Sequence, residues 1–231
     1  MNTVPKLFVA IDQNDINRAK ELIQKLPPEL CGVKVGKELF TACGPGIIEW
    51  IQKKRFSVFL DLKYHDIPNT VEKACLVASK MGVSILNVHA LGGKDMMLAA
   101  KEGVDKSNNS PYLIAVTLLT SMDSNSLKEI GLTSSISDQI LNLAKSASQS
   151  KLDGIVCSAK DIKNIKDALP EKFLYVTPGI RLNNRDKDDQ KRISTPLGAI
   201  KMGSDIIVIG RSITEAKFPE EVLNQIIDEI S

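Results

Sequence analysis

Short apolar runs alternate with amphipathic stretches along the whole chain. The short runs are rich in β-branched residues, which is typical of buried strands, and the longer stretches space their apolar positions as a helix does. Eight runs predict strands over residues 7–12, 31–36, 57–62, 85–90, 112–119, 154–158, 173–177 and 205–209. Helices are predicted over residues 16–26, 44–54, 68–81, 94–104, 135–148, 161–169, 196–202 and 219–230, with Asn14 or Asp15 as the first N-cap.

Eight successive strand–helix units predict an α/β fold of the (β/α)8 or TIM-barrel type, as one domain over residues 1–231. The alternative is an open, doubly wound sheet, which normally carries a glycine-rich phosphate turn after its first strand. Here the first strand runs into VAIDQND, without such a turn. The number of units and this missing turn favour the barrel.

Composition and charge narrow the function classes. The chain has 231 residues, of which 43% are hydrophobic and 25% charged, the usual mixture for a globular protein. The net charge is +2 and no long basic run occurs, so neither a nucleic acid nor an anionic membrane is expected as a partner. The four cysteines form no C-x-x-C pair, and we expect reduced thiols. With no apparent signal peptide or membrane span, the expected compartment is the cytoplasm.

Charged residues lie where several predicted strands end, and barrel enzymes carry their catalytic and binding residues at this end of the strands. Asp12 ends the first strand, Lys34 lies in the second, and Asp61, Lys63 and Asp66 follow one another at the third. Because side chains alternate along a strand, Asp61 and Lys63 should both face the lumen. For Asp12 or Lys34 alone, a structural salt bridge is as plausible as a functional role. The cluster around Lys63 instead favours a functional site.

Other strand ends predict supporting and anion-binding groups. Asn87 and His89 share a face of the fourth strand and are expected behind the site rather than in it. Gly210 and Arg211 follow the eighth strand, where barrels commonly bind phosphate. A helix cap with an exposed arginine is the simpler alternative. The polar stretch over residues 181–194 predicts a lid loop or an ordinary surface loop.

One segment of the sequence is characteristic of a known family. Residues 59–70, FLDLKYHDIPNT, closely resemble the signature of the orotidine 5′-phosphate decarboxylase family. The resemblance extends over the whole chain, at AID (10–12), VKVG (33–36), NVHA (87–90), LLTSM (118–122), TPGIR (177–181) and VIGR (208–211).

The resemblance implies a reaction and roles for several residues. The family converts orotidine 5′-phosphate to UMP and CO2, the last step of de novo pyrimidine nucleotide synthesis, without a cofactor or metal. By resemblance, Lys63 protonates C6 of the pyrimidine and Asp61 lies against the departing carboxylate. Lys34 and Asp66 complete an alternating array of lysines and aspartates.

The resemblance also implies how substrate is bound and how subunits associate. A homodimer is expected, in which Asp66 and Thr70 reach into the neighbouring subunit's site. The expected substrate contacts are Asp12 and Lys34 to the ribose, Thr120 and Pro178 to the base, Gln190, Gly210 and Arg211 to the phosphate, and Arg181 at the base of the lid.

Two other functions remain open at this stage. Related barrels that act on sugar phosphates, as 3-keto-gulonate 6-phosphate decarboxylase or hexulose phosphate synthase, share the Asp-x-Lys-x-x-Asp strand but use Mg²⁺. Those enzymes carry a carboxylate at the end of strand two, where this chain has Lys34, whose charge would repel a cation. The other possibility is an inactive barrel that binds a nucleotide as a sensor or scaffold, which the intact Lys63 and its flanking carboxylates disfavour.

Overall fold

The computed structural model describes residues 4–182 and 193–231. Within them, eight parallel strands pair in chain order and β8 pairs with β1, so the sheet closes into a barrel. This confirms the predicted fold class. The strands are β1 (Leu7–Ile11), β2 (Gly32–Gly36), β3 (Val58–Tyr64), β4 (Ile85–His89), β5 (Tyr112–Val116), β6 (Gly154–Val156), β7 (Leu174–Thr177) and β8 (Ile206–Ile209).

Helices surround the barrel and connect its strands. They are α1 (Ile16–Ile23), α2 (Lys37–Cys43), α3 (Gly46–Lys53), α4 (Pro68–Lys80), α5 (Gly93–Asp105), α6 (Ser124–Glu129), α7 (Ile136–Gln149), α8 (Ala159–Ile165), α9 (Pro196–Lys201), α10 (Arg211–Thr214) and α11 (Pro219–Ile230). Across the described part of the chain, none of these helices has both the length and the apolar character of a membrane span.

The helix boundaries differ from the predicted ones for simple reasons. Helices α2, α6 and α10, of seven, six and four residues, were not predicted. Helix α1 ends at Ile23 rather than at residue 26, ahead of the Pro27–Pro28 pair, which cannot continue a helix. Of the two N-cap candidates, Asp15 caps α1, since its carboxylate accepts hydrogen bonds from the backbone N–H groups of Asn17 and Arg18.

The barrel interior is a separate apolar core below the charged residues. Its buried side chains are Phe8, Ala10, Phe59, Ile85, Ile114, Val176, Ile206 and Val208. The rings of Phe8 and Phe59 meet edge to face, with centroids 6.0 Å apart. Gly32 makes room for them, since a Cβ at that position would lie 2.3 Å from the Phe8 ring. This packed interior closes the barrel beneath its C-terminal mouth.

Strand β3 leaves the regular ladder just where the charged residues begin. Leu60 pairs with Leu86, but the next paired residue, Tyr64, is opposite Val88, so β3 has extra residues relative to β4. Lys63 within this irregular stretch has a φ of +52°, a left-handed conformation that is uncommon for a residue with a side chain. Bulges of this kind redirect side chains and often lie beside functional sites.

Close packing of α4 against α5 gives a stability prediction at Gly103. A Cβ there would lie 2.2 Å from the backbone carbonyl oxygen of Glu72. We expect Gly103→Ala to lower the free energy of unfolding in urea by about 1–3 kcal/mol, because the two helices must separate. Gly46 in α3 has open space around the same position, so Gly46→Ala is a matched control. Equal stabilities of the two variants would contradict this account of the packing.

Candidate active site

A cavity of about 340 Å³ opens at the C-terminal ends of the strands, a volume suited to a small-molecule ligand. Its lower wall is apolar and belongs to the barrel core. Its polar groups lie toward the rim, in the C-terminal parts of the strands and in the loops that follow them. The described residues that line it include Asp12, Lys34, Phe59, Asp61, Lys63, Thr120, Ser121, Cys157, Pro178, Gly179, Arg181, Gly210 and Arg211.

Four charged side chains form a continuous alternating array across one side of the cavity. The ammonium nitrogen of Lys34 lies 3.5 Å from Asp12 Oδ1 and 3.2 Å from Asp61 Oδ2. The other oxygen of Asp61, Oδ1, lies 2.6 Å from Nζ of Lys63. Strands β1, β2 and β3 adjoin one another in the barrel, which brings these residues from distant parts of the sequence together.

Asp61 is the most strongly perturbed group of the array. Burial alone would raise its pKa, but the neighbouring Lys34 and Lys63 ammonium groups and the hydrogen bonds from Lys63 and Asn87 lower it to about 2. Asp61 is therefore ionised at neutral pH despite being buried. A fixed carboxylate thus holds the Lys63 ammonium, a proton donor, at the cavity wall.

Positive charge exceeds negative charge among the described residues of the cavity wall. These residues include four cations, Lys34, Lys63, Arg181 and Arg211, and two carboxylates, Asp12 and Asp61. A low-dielectric cleft concentrates such a field, so this cavity should attract an anionic ligand.

Arg211 lies at the strand end that was predicted to bind phosphate, and Arg181 lies at the predicted base of the lid. Arg211 begins α10 directly after Gly210, and Arg181 follows Pro178 and Gly179 after β7. Backbone hydrogen bonds between Arg181 and Ser194, and between Ser194 and Gly179, join the two ends of the predicted lid segment. The base of that segment therefore lies at the cavity rim, close to Arg181.

Comparisons with known proteins place this geometry in a family. A sequence model of the orotidine 5′-phosphate decarboxylase / HUMPS family matches residues 5–226. The chain belongs to this family. Its relatives include proteins named orotidine 5′-phosphate decarboxylase from Saccharophagus degradans, 49% identical over 98% of this chain and 95% of the relative, and from Hydrogenovibrio crunogenus, 50% identical over 96% and 94%.

Solved structures agree with this assignment. The crystal structure of orotidine 5′-phosphate decarboxylase from Lactobacillus acidophilus superposes with a TM-score of 0.88 at 36% identity, covering 99% of this chain and all of that one. An uncharacterised conserved protein from Geobacillus kaustophilus superposes with a TM-score of 0.87, also at 36% identity, over 97% of this chain and all of its own.

Most residues predicted from the family signature meet at the cavity. Those that line it are Asp12, Lys34, Asp61, Lys63, Thr120, Pro178, Arg181, Gly210 and Arg211. Gln190, predicted to bind phosphate, lies outside the described residues. Of the signature residues, Asp66 is exposed in the loop after β3 and Thr70 is exposed in the first turn of α4. Neither lines the described cavity wall. Asp66 accepts a hydrogen bond from the backbone N–H of Ile67.

Two histidines of the family motifs lie behind the array. The rings of His65 and His89 stack with centroids 5.4 Å apart. His89 Nδ1 also accepts a hydrogen bond from the backbone N–H of Leu91. Burial, followed by electrostatic interactions with His65, Lys63 and Lys37, lowers the pKa of His89 to about 4. His89 is therefore neutral near pH 7 and serves as a packing and hydrogen-bonding group.

Sequence reasoning did not identify several cavity residues. Ser121 and Cys157 line the cavity, and Phe59 forms part of its floor. Cys157 was expected only as a reduced thiol, and its buried side chain also borders the cavity. Its position immediately after β6 was the available signal, because residues at that point of a barrel strand face the mouth.

Proposed function

We propose that this chain decarboxylates orotidine 5′-phosphate to UMP and CO2, the final step in making the pyrimidine nucleotide UMP. The family and the names of its relatives support this assignment. The observation that carries it is the Lys63 ammonium, held 2.6 Å from the buried Asp61 carboxylate at the wall of a predominantly cationic cavity. Such a donor can stabilise a carbanion and then protonate it.

The substrate's groups match the polar groups of the cavity. The phosphate fits at Gly210 and Arg211, with Arg181 at the base of the lid segment, and the family resemblance adds Gln190 as a further phosphate ligand. The ribose hydroxyls fit beside Asp12 and Lys34, which offer an acceptor and a donor. Thr120 and Pro178 border the space left for the pyrimidine ring. Phosphate binding far from the reacting carbon supplies energy for ordering and closing the site.

The reaction then proceeds at the side chain of Lys63. The bond between C6 and the carboxylate carbon breaks, CO2 leaves, and the electron pair remains on C6. The Lys63 ammonium delivers its proton to C6, and solvent reprotonates the resulting amine. The ammonium lies near the developing charge before reaction, so little reorganisation is needed at the moment of bond cleavage. The Asp61 carboxylate, already ionised, orients the ammonium.

A magnesium-dependent reaction on a sugar phosphate fits the array less well. Lys34 Nζ occupies the space between the carboxylates of Asp12 and Asp61, at 3.5 and 3.2 Å. A divalent ion bridging these oxygens would have to displace a buried ammonium of the same sign of charge.

The proposed function also includes a dimeric assembly and a cytoplasmic location. We propose a homodimer in which Asp66 and Thr70 complete the neighbouring subunit's site. Asp66 lies in the exposed loop after β3, beside Ile67, which is 66% exposed, and Thr70 lies in the exposed first turn of α4, a helix that also carries Val77, which is 54% exposed. A partner covering this face would bury the apolar groups and present Asp66 to its own cavity. The four cysteines, which form no disulfide with one another, favour the reducing cytoplasm as the location.

A direct assay tests the proposed activity. Purified chain is mixed with orotidine 5′-phosphate, and loss of substrate absorbance is followed with and without excess EDTA. We expect conversion to UMP at the same rate in both. Activity that EDTA removes would favour the metal-dependent alternative. Tight nucleotide binding without conversion would show an inactive barrel.

A further inference from the structure

Asn87 makes two short hydrogen bonds that converge on Lys63. It lies in the middle of β4 with a fully buried side chain. Its Oδ1 accepts the backbone N–H of Lys63 at 2.7 Å, and its Nδ2 donates to Asp61 Oδ1, also at 2.7 Å. The same Asp61 oxygen receives the Lys63 ammonium. One amide therefore contacts both the backbone of Lys63 and the carboxylate that holds its side chain.

The orientation of this amide follows from its partners. A backbone N–H can only donate, so the Asn87 atom that faces it must be the oxygen. The ionised carboxylate of Asp61 can only accept, so the atom that faces it must be the nitrogen. A flipped amide would place the Nδ2 donor against the Lys63 N–H and the Oδ1 acceptor against the Asp61 carboxylate. The two neighbours therefore permit one orientation of the amide.

The hydrogen bond from the Lys63 backbone N–H to Asn87 compensates for the strand pairing that is interrupted at the bulge in β3. Regular pairing with β4 is interrupted between Leu60 and Tyr64, and Lys63 takes a φ of +52°. A conformation of this kind persists only where its surroundings impose it. Asn87 Oδ1 provides the acceptor that the interrupted ladder does not, at the residue whose backbone is strained.

We propose that Asn87 is a positioning residue, which fixes the Lys63 ammonium by holding its backbone and its carboxylate partner together. This inference rests on the proposed function, because it assigns Lys63 the proton transfer. Asn87 is not among the described residues that line the cavity, so it acts through Lys63 and Asp61. Loss of the amide should displace the proton donor without removing the groups that bind the nucleotide.

Two variants separate the two bonds. Asn87→Leu keeps the approximate size and removes both. Asn87→Asp keeps an acceptor for the Lys63 N–H but places a second carboxylate against Asp61. Ser150→Ala is the matched control, since Ser150 is also fully buried and its hydroxyl donates to the carbonyl of Ser146 at the end of α7. It measures what the loss of one buried hydrogen bond does to the protein in general.

The experiment measures kcat, the Kd for UMP, the pH profile of kcat and thermal stability for all four proteins. We expect Asn87→Leu to lower kcat by about 100-fold, the usual effect of a misplacement near 1 Å. The Kd for UMP should stay within about threefold, because the binding groups remain. In Asn87→Asp the new carboxylate lies against that of Asp61, and the repulsion raises the pKa of the pair. The loss of kcat on acidification should therefore begin at a higher pH than in the unaltered protein.

The outcomes distinguish this inference from the proposed function. If the unaltered chain converts no orotidine 5′-phosphate, the proposed function fails. If it is active and folded Asn87→Leu keeps kcat within about threefold, or loses kcat and UMP affinity in parallel, Asn87 does not position the lysine. Should Asn87→Leu not fold, Asn87→Asp decides, and an unshifted pH profile at an undiminished kcat would overturn the inference.

Discussion

Lys63→Ala should lower kcat by at least about 10⁴-fold while leaving the Kd for UMP nearly unchanged. The substitution removes both the proton donor and the positive charge nearest the reacting carbon. The proposed phosphate and ribose contacts at Arg211, Asp12 and Lys34 remain, so we expect the nucleotide still to bind. The measurement is steady-state turnover of orotidine 5′-phosphate beside calorimetric titration with UMP.

The control for this variant is a second lysine paired with an aspartate elsewhere. Lys101 pairs with Asp105 on the surface of α5, and Lys101→Ala should keep the turnover of the unaltered chain. A Lys63→Ala protein with near-normal turnover would show that another group protonates C6. Loss of UMP binding together with turnover would show instead that the lysine mainly holds the nucleotide.

Asp66→Ala should lower turnover by about 10²- to 10³-fold, although its carboxylate is exposed in the isolated chain. The reason is the proposed exchange of residues between subunits, in which Asp66 completes the partner's array beside Lys63. Mixed dimers of Asp66→Ala and Lys63→Ala would then contain one intact site. If the subunits associate at random, a refolded equal mixture should recover about a quarter of full activity.

A second mixture controls for nonspecific recovery. Lys63→Ala and Asp61→Ala alter the same subunit's share of the site, so their mixed dimers contain no intact site. This mixture should recover nothing beyond its separate components. Mixed dimers of Asp66→Ala and Lys63→Ala that form but stay inactive would contradict the shared site.

The barrel and most of its cavity could be predicted from the sequence because both follow from periodic rules. Alternating strands and helices determined the number of βα units. The alternation of side chains along β3 correctly directed Asp61 and Lys63 toward the mouth, where the structure joins them in an ion pair. The position of Arg211 after the eighth strand likewise indicated the cavity rim.

The remaining features depend on three-dimensional contacts that no local pattern encodes. The bulge in β3 arises from its pairing with β4, so the left-handed backbone of Lys63 left no mark in the sequence. Asn87 looked like a supporting residue, but its two partners were not predictable. The proposed role of Asp66 shows the same limit, because it depends on a second subunit and not on contacts within one chain.

A crystal structure of the chain with bound UMP tests the central claim most directly. The account predicts that the Lys63 ammonium nitrogen lies about 3–3.5 Å from C6 of the ring, close enough to transfer a proton. A Lys63 side chain that points away from the ring would contradict the account. So would a divalent ion bound between Asp12 and Asp61 in place of the Lys34 ammonium.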